Sequence, residues 1–530
     1  MRERTRKALA LLLVVAMALS LVPAAYAAPE DGSISLPFTA VADAQAPELR
    51  EPVEEMPPET PYDADETVRV SIVLEEPATL ERGYATAGIA SNGSATAYRS
   101  GLQKGQETMA QTISRQALSG ETLDVVWNLT LAANLISANV RYGDMEAIEA
   151  VPGVKEVILE TRYEPAVYAT GEASPNMATS GQMIGTSAAY AAGYNGAGMR
   201  IAVIDTGTDT DHKSFDAAAF DYALAEDEKI SGKTYDLLDA AEIGSVLVQL
   251  NAYKRTLQNG RPTASTPTAE KLYGTTKLPY NYNYVDGDFD VTHDNDTEGE
   301  HGSHVAGIAT ANRYVKTEDG FTSALDAVKV QGVAPDAQLI TMKVFGKNGG
   351  AYDSDYMAAI EDAILLGCDV VNLSLGSSNP GNTYSETYQS FLEQLKDTDT
   401  VVAVAAGNAG TWADGAWNGH LYSDAVSLDM VGSPGSYTNS FTVASADNVG
   451  YTGQYLAVGT RQIFYTETAS VAPSITTLAG QALDYVLLEG IGDYGAWDGI
   501  DLTGKVAVCA RGDINFSQKA QNAADAGAAA

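Results

Sequence analysis

Glu300-His301-Gly302-Ser303-His304-Val305-Ala306-Gly307 is the stretch from which the fold of this chain can be read. A histidine opens a run of small and apolar residues, a helix able to pack closely against its neighbours. Upstream, Ile201-Ala202-Val203-Ile204-Asp205-Thr206-Gly207 is a continuous apolar strand that ends on an aspartate. Downstream, Val401-Val402-Ala403-Val404-Ala405-Ala406-Gly407-Asn408 is a second such strand, ending on Gly and Asn. Strands without polar alternation suit a parallel sheet buried on both faces, and open sheets of that kind build their sites at the carboxyl ends of the strands. Asp205, His301 and Asn408 then read as acid, base and oxyanion donor. A serine or cysteine hydrolase needs a base to take the nucleophile's proton and an acid to orient that base. It also needs donors for the tetrahedral oxyanion. Taken singly, Asp205 reads equally as a turn cap, His301 as a capping or core histidine, and Asn408 as a left-handed turn residue. The three together, in order and each at the end of an element, outweigh those readings.

Working outward, the same region alternates strands and helices. Gln338 to Val344 reads as a strand, Asp355 to Leu366 as an amphipathic helix, Asp369 to Leu373 as a strand running into Ser374-Leu375-Gly376, and Phe391 onward as a helix. This spacing predicts an α/β fold with a doubly wound parallel sheet over 180–448. Within it, 216–296 is long, polar and Tyr-rich, with a helical stretch near 235–257, and reads as an insertion over the core. Of the five histidines, His304 shares a helix face with His301. Zinc peptidases of the His-Glu-x-x-His type space their ligands four apart around a glutamate, so His304 is expected to make a structural hydrogen bond rather than to bind metal. Asp209 and Asp211 lie further into the loop after Asp205 and read as solvated or ion-binding carboxylates.

The rest of the chain sorts by composition. Residues 1–27 carry a basic start (Arg2, Arg4, Arg6, Lys7), an apolar run and the small-residue end Ala25-Tyr26-Ala27, the pattern of a secretory signal peptide. No later stretch is long and apolar enough to span a bilayer. Residues 28–67, rich in Pro and Glu, read as a disordered linker. Residues 68–165 follow a β-α-β-β-α-β pattern, the ferredoxin-like α+β motif, with the first helix expected over 101–118. Placed between a signal peptide and a hydrolase-like core, it suggests an inhibitory pro-segment. Residues 455–530 turn β-rich and glycine-rich, then helical over 517–530. The formal charge is -37, from 32 basic and 69 acidic residues. That speaks against nucleic acid as a partner, because a phosphate-binding surface needs clustered Lys and Arg. Cys368 and Cys509 stand far apart and form no Cys-x-x-Cys, so both are expected to be buried free thiols rather than a disulfide or a catalytic cysteine.

The quoted motifs, Val203-Ile204-Asp205-Thr206-Gly207, His301-Gly302-Ser303-His304-Val305-Ala306-Gly307 and Ala406-Gly407-Asn408, resemble those of the subtilisin-like serine proteases, whose triad order is Asp, His, Ser. Ser303 stands where that family usually has Thr. The resemblance implies Asp205 as orienting acid, His301 as general base and Asn408 as a side-chain oxyanion donor. It implies Ser374, Leu375 and Gly376 as a strand that pairs with substrate backbone. It also implies polypeptide substrates, the 68–165 domain as an intramolecular inhibitor of a secreted zymogen, no cofactor for the chemistry, and structural calcium held by acidic loops. Residues 501–530 resemble the protease-associated domain that some subtilases insert before the serine motif, and cell-envelope proteinases of the lactocepin type share that layout. In the resemblance, the segment beyond such a domain can attach the protein to the cell wall or surface. The family's Gly-Thr-Ser-x-Ala-x-Pro is absent after Asn408, so the nucleophilic serine is expected beyond Ala530 and the 530-residue chain alone is expected to be inactive. Gly185-Thr186-Ser187 mimics the motif's start but precedes Asp205 and lacks the Pro. The competing reading is a peptide-binding pseudoprotease without that serine.

Overall fold

The computed structural model describes residues 62–163, 180–181, 183–258, 260–293, 296, 299–347, 349–376, 386–396, 398–407, 431–437, 441–446, 455–465, 474–488, 490–510 and 516–530. The signal segment 1–27, the linker up to residue 61 and the stretch 164–179 lie outside the described residues, as does Asn408.

The first domain is built from β1 (Thr67–Leu74), α1 (Gly93–Gln116), β2 (Asp124–Leu129), β3 (Leu135–Arg141), α2 (Met145–Glu149) and β4 (Val154–Leu159). Its four strands run antiparallel in the order β2-β3-β1-β4. α1 starts well before the expected position 101, because the Asn92 side chain accepts from the backbone amides of Ser94 and Ala95 and caps the helix there. Val70 and Ile72 turn toward the helices, in one apolar cluster with Ile113 and Ile148. The opposite face carries Ser71, Ser137 and Trp127, and these are buried as well. Period-two alternation normally leaves such a face in water; here it is covered.

The cover is the α/β domain. After β5 (Arg162–Tyr163), which belongs to the first domain, its strands are β6 (Arg200–Asp205), β7 (Tyr280–Asn283), β8 (Tyr314–Thr317), β9 (Gly320–Ser323), β10 (Gln338–Lys343), β11 (Ala351–Tyr352), β12 (Val370–Leu373), β13 (Val401–Ala405) and β14 (Phe441–Val443). Three helices matter for the site: α3 (His301–Thr310), α4 (Asp353–Leu365) and α5 (Glu386–Lys396). Six strands form a parallel sheet in the order β14-β13-β12-β6-β10-β7. Every residue of β6 and of β10 is buried, as their apolar runs require. The chain passes from β6 to β10 and β7 on one side and to β12 on the other. The strand order therefore reverses at β6, which opens a crevice at its carboxyl end.

The stretch 216–296 differs from the expectation of an external insertion, because it supplies β7, the edge strand beside β10. The helical stretch expected near 235–257 is two short helices, Ala240–Val246 and Asn251–Arg255. The second begins on a carboxylate of α4: Asp362 accepts from the amides of Asn251 at 2.6 Å and Ala252 at 3.0 Å.

α4 departs most from its sequence pattern. It reads as amphipathic, yet all of its residues are buried. One side lies on the sheet, and the acidic side meets the first domain. Trp127 Nε1 donates to Asp355 at 2.7 Å, Ser137 and Ser354 share a hydrogen bond, and Glu361 accepts from the amides of Leu131 and Ala132 at 2.7 and 2.9 Å. From α5, Tyr388 donates to Ser71. β5 continues the first domain and pairs antiparallel with β11, Tyr163 opposite Ala351.

The last described region holds an antiparallel pair, β15 (Tyr455–Val458) with β16 (Arg461–Phe464), and a parallel pair, β17 (Tyr485–Leu487) with β18 (Val506–Val508). Its helix spans Phe516–Asp525, short of the expected 530. Both cysteines are free, Cys368 buried and Cys509 half-buried. Among the described residues no helix is long and apolar enough to cross a membrane.

Candidate active site

β6 ends on Asp205 and α3 begins on His301, so the two elements meet end to start. His301 Nδ1 lies 2.8 Å from Asp205 Oδ1. The carboxylate is 1% exposed and the imidazole 15%, so the pair is screened from water on the Asp205 side. The amide of Thr206 donates to the same oxygen at 2.7 Å, which fixes the carboxylate plane. The Thr206 hydroxyl in turn accepts from the amide of Gly302 at 2.9 Å, tying the turn after β6 to the first turn of α3. The hydrogen bond to Asp205 raises the His301 pKa above the ordinary imidazole value, against the opposing effect of burial.

Gly302 is demanded by this approach. A Cβ there would come within 2.1 Å of the Gly207 carbonyl oxygen, a backbone atom that cannot move aside. Gly302→Ala is therefore expected to cost about 2 kcal/mol of stability through overpacking. In a thermal melt of the chain it should lower the midpoint, and a variant as stable as the parent would contradict the contact.

Behind the pair sits a buried cation that the sequence reading did not single out. Lys343, Asp205's register partner at the end of β10, is 1% exposed. Its ammonium donates to the Thr206 carbonyl and to Asp296 Oδ2, the latter at 2.6 Å. A lysine at the end of a fully buried parallel strand must find such partners; that rule, applied to Ile340-Thr341-Met342-Lys343-Val344, is the signal that could have located it. Ser303 is a second missed link. Its hydroxyl accepts from the amide of Asp209 at 2.7 Å and lies 2.8 Å from His293 Nε2. Burial lowers the His293 pKa.

The other expected residues fall as follows. His304 is exposed, and among the described residues its side chain makes no hydrogen bond, which corrects the structural role expected for it. Asp211 is exposed and Asp209 half-buried in the loop after β6. Ser374, Leu375 and Gly376 follow β12, with Leu375 buried and the Ser374 hydroxyl accepting from Asn372 at 2.9 Å. Gly407, at the end of the segment that leads to Asn408, has a positive φ of 95°. Ser187 is exposed in the short helix Thr186–Ala191. Among the described residues no group of three or more His, Cys, Asp or Glu side chains is gathered so that it could hold a metal ion.

An Asp–His pair at the crevice of a parallel sheet can act as a general base. The chain is 30% identical over 409 residues to the PII-type proteinase of Lacticaseibacillus paracasei, covering 75% of this chain and 19% of that one. It is 27% identical to the minor extracellular protease Vpr of Bacillus subtilis, covering 76% and 39%. To a C5a peptidase of Streptococcus pyogenes it is 31% identical over 246 residues, covering 43% and 19%. The chain thus spans about a fifth of the length of the PII-type proteinase. Residues 196–526, more than half of the chain, match the model of the subtilase family, and to that family the chain belongs.

Proposed function

We propose that this chain belongs to a secreted serine endopeptidase made as a zymogen. The observation that carries the reading is the 2.8 Å contact between His301 Nδ1 and buried Asp205. A proton held on Nδ1 by the carboxylate makes Nε2 the basic nitrogen. In the whole protein a serine hydroxyl passes its proton to Nε2 as its oxygen attacks the peptide carbonyl. The negative oxygen of the tetrahedral intermediate is met by the Asn408 amide. His301 then returns the proton to the departing amine, and water releases the acyl group by the same route. Ser374-Leu375-Gly376 pairs with the substrate backbone by strand addition. The test is labelling of the whole secreted protein by a serine-directed phosphonate, which should block peptide hydrolysis. Hydrolysis that persists in a fully labelled protein would exclude the mechanism.

The first domain acts in this reading as an inhibitor that is released after the connecting chain is cut. Its seat is acidic, and this gives the release a pH dependence. Glu160, which follows β4, and Asp353 of α4 are both fully buried at the contact; burial raises both pKa values, that of Asp353 to about 7, with Glu160 adding to it by repulsion. Tyr163, Tyr356 and Tyr388 surround Asp353; the charge of Arg69 pulls the Glu160 pKa down but does not offset its burial. A free carboxyl titrates near 4. The docked state therefore holds protons that the undocked state has lost. Docking is fully favoured below pH ~4 and weakens as pH rises through about 7. With a specific cleavage site placed within 164–179, the nicked chain is expected to release the first domain at least about ten-fold faster at pH 8 than at pH 5. Gel filtration of the two pieces reads this directly, and faster release at pH 5 would reverse the sign.

A further inference from the structure

β5 and β11 are each two residues long, and β11 pairs with nothing else among the described residues. β11 leaves the sheet edge that carries the candidate site, since it follows β10, whose last residue is Asp205's register partner. Beside β11 and the first turn of α4, the Tyr163 side chain is 1% exposed and fills a pocket walled by Tyr356 and floored by Asp353. The ring packs edge-on against Tyr356 at 5.9 Å between centroids. Its hydroxyl donates to Asp353 Oδ1 at 2.8 Å, and the Tyr356 hydroxyl donates to the same oxygen at 2.9 Å. The other carboxyl oxygen accepts from the backbone amide of Thr161 at 2.7 Å.

The arrangement combines a feature any extended chain can satisfy with one that only certain side chains can. The strand pairing and the Thr161 amide are backbone interactions and set the register of the incoming strand. The Tyr163 hydroxyl is a side-chain donor at the far end of an aromatic ring. Asp353 is wholly buried at the bottom of the pocket. A phenylalanine or leucine in place of Tyr163 would leave that carboxyl short of a partner, away from water, and burying a polar group without its hydrogen bond is costly. A lysine could supply a donor but would not fill the volume of the ring. When β5 leaves, the pocket and the open edge of β11 are presented together.

We propose that Asp353 is a specificity-determining residue that selects tyrosine on the substrate strand pairing with β11, and that Tyr163 is the chain's own occupant of that pocket. The inference rests on the endopeptidase reading above. A site built to hydrogen-bond a hydroxyl discriminates against the analogue lacking it by far more than one built on apolar contact. Here Tyr356 and a backbone amide still serve the carboxyl when the phenol is lost, so the expected discrimination is smaller, about ten-fold.

Two measurements test it. In the active whole protein, peptides alike except for Tyr or Phe at the residue that would face Ala351 should differ about ten-fold in kcat/KM in favour of Tyr. Asp353→Leu should bring the two within about two-fold, and Asp353→Asn, which keeps an acceptor, should restore part of the preference. Equal kcat/KM in the parent, or a preference for basic or aliphatic residues, overturns the proposal. In the 530-residue chain, which needs no catalysis for this purpose, Tyr163→Phe should speed hydrogen exchange at the amides of Tyr163 and Ala351 about ten-fold. Unchanged exchange overturns the pocket. If no peptide is cleaved at all, the endopeptidase reading fails, and the exchange experiment alone still decides whether Asp353 recognises the phenol.

Discussion

Asp205→Asn is expected to lower kcat for peptide hydrolysis by the whole protein on the order of 10⁴-fold. The reason is the hydrogen-bond pattern around the carboxylate. Oδ1 accepts from the Thr206 amide and faces His301 Nδ1, while Oδ2 is buried with no hydrogen-bond partner among the described residues. An asparagine oxygen at the Oδ1 position would keep both contacts but set its NH₂ group where nothing accepts. Turned the other way, the NH₂ would oppose the Thr206 amide and force His301 into the tautomer with its proton on Nε2. That tautomer has no lone pair for the serine. The pH profile separates this from simple loss of structure. His301 is a base only when neutral, and the Asp205 bond raises its pKa, so activity in the parent falls at a pH above the usual imidazole value of about 6.5. In Asp205→Asn the acid limb of the residual activity should move to lower pH. A variant that keeps more than about a tenth of the activity would remove Asp205 from the mechanism.

How much of this was written in the sequence depends on the kind of contact. β6 and the start of α3 were legible because their requirements are local. A parallel strand buried on both faces must be apolar along its length, and a helix start pressed on a backbone must carry glycine, as Gly302 does against Gly207. α1 was misplaced at its start because Asn92-Gly93-Ser94 looks like loop, although the Asn92 side chain caps the helix. β7 was hidden inside a polar, Tyr-rich stretch. Tyr280 and Tyr282 are nevertheless wholly buried, and the Tyr280 hydroxyl reaches that of Tyr284. Lys343 and Ser303 escaped because their partners, Asp296, Asp209 and His293, sit on loops whose approach only the fold determines. α4 was the largest miss. Its pattern of Asp, Ser and Glu against apolar residues reads as a solvated face, and nothing local says that another domain lies on it.

That covered face carries the second large effect. Glu361→Leu is expected to weaken seating of the first domain by about 3 kcal/mol, and so to speed its release from a nicked chain about 10²-fold. Glu361 is wholly buried and its carboxylate serves two parts of the structure at once. Oε1 accepts from the amides of Leu131 and Ala132, and Oε2 from that of Thr130 at a longer 3.4 Å. Oε2 also accepts from the Asn251 side chain at 3.1 Å, in the helix whose start Asp362 caps. The three amides belong to the bend between β2 and β3, where no strand partner takes them. Leucine would leave them buried and unpaired, and each short bond to a charged acceptor is worth about 1.5–3 kcal/mol. Glu361→Gln separates this cause from a loss of packing. Glutamine keeps the shape and one acceptor oxygen, enough for Leu131 and Ala132, so release should quicken no more than about ten-fold. If Gln and Leu accelerate release equally, the charge matters and the hydrogen bonds do not. If neither does, the seat is held elsewhere. Two further contacts then come from outside α4: the Arg255 guanidinium lies 4.5 Å above the Trp127 ring, and Gln249 bonds to the Ala90 carbonyl and to Arg99. Both Arg255 and Gln249 come from the 216–296 stretch, so that segment would then share the seating of the first domain with the Trp127–Asp355 bond, Tyr388 on Ser71 and the β5–β11 pairing.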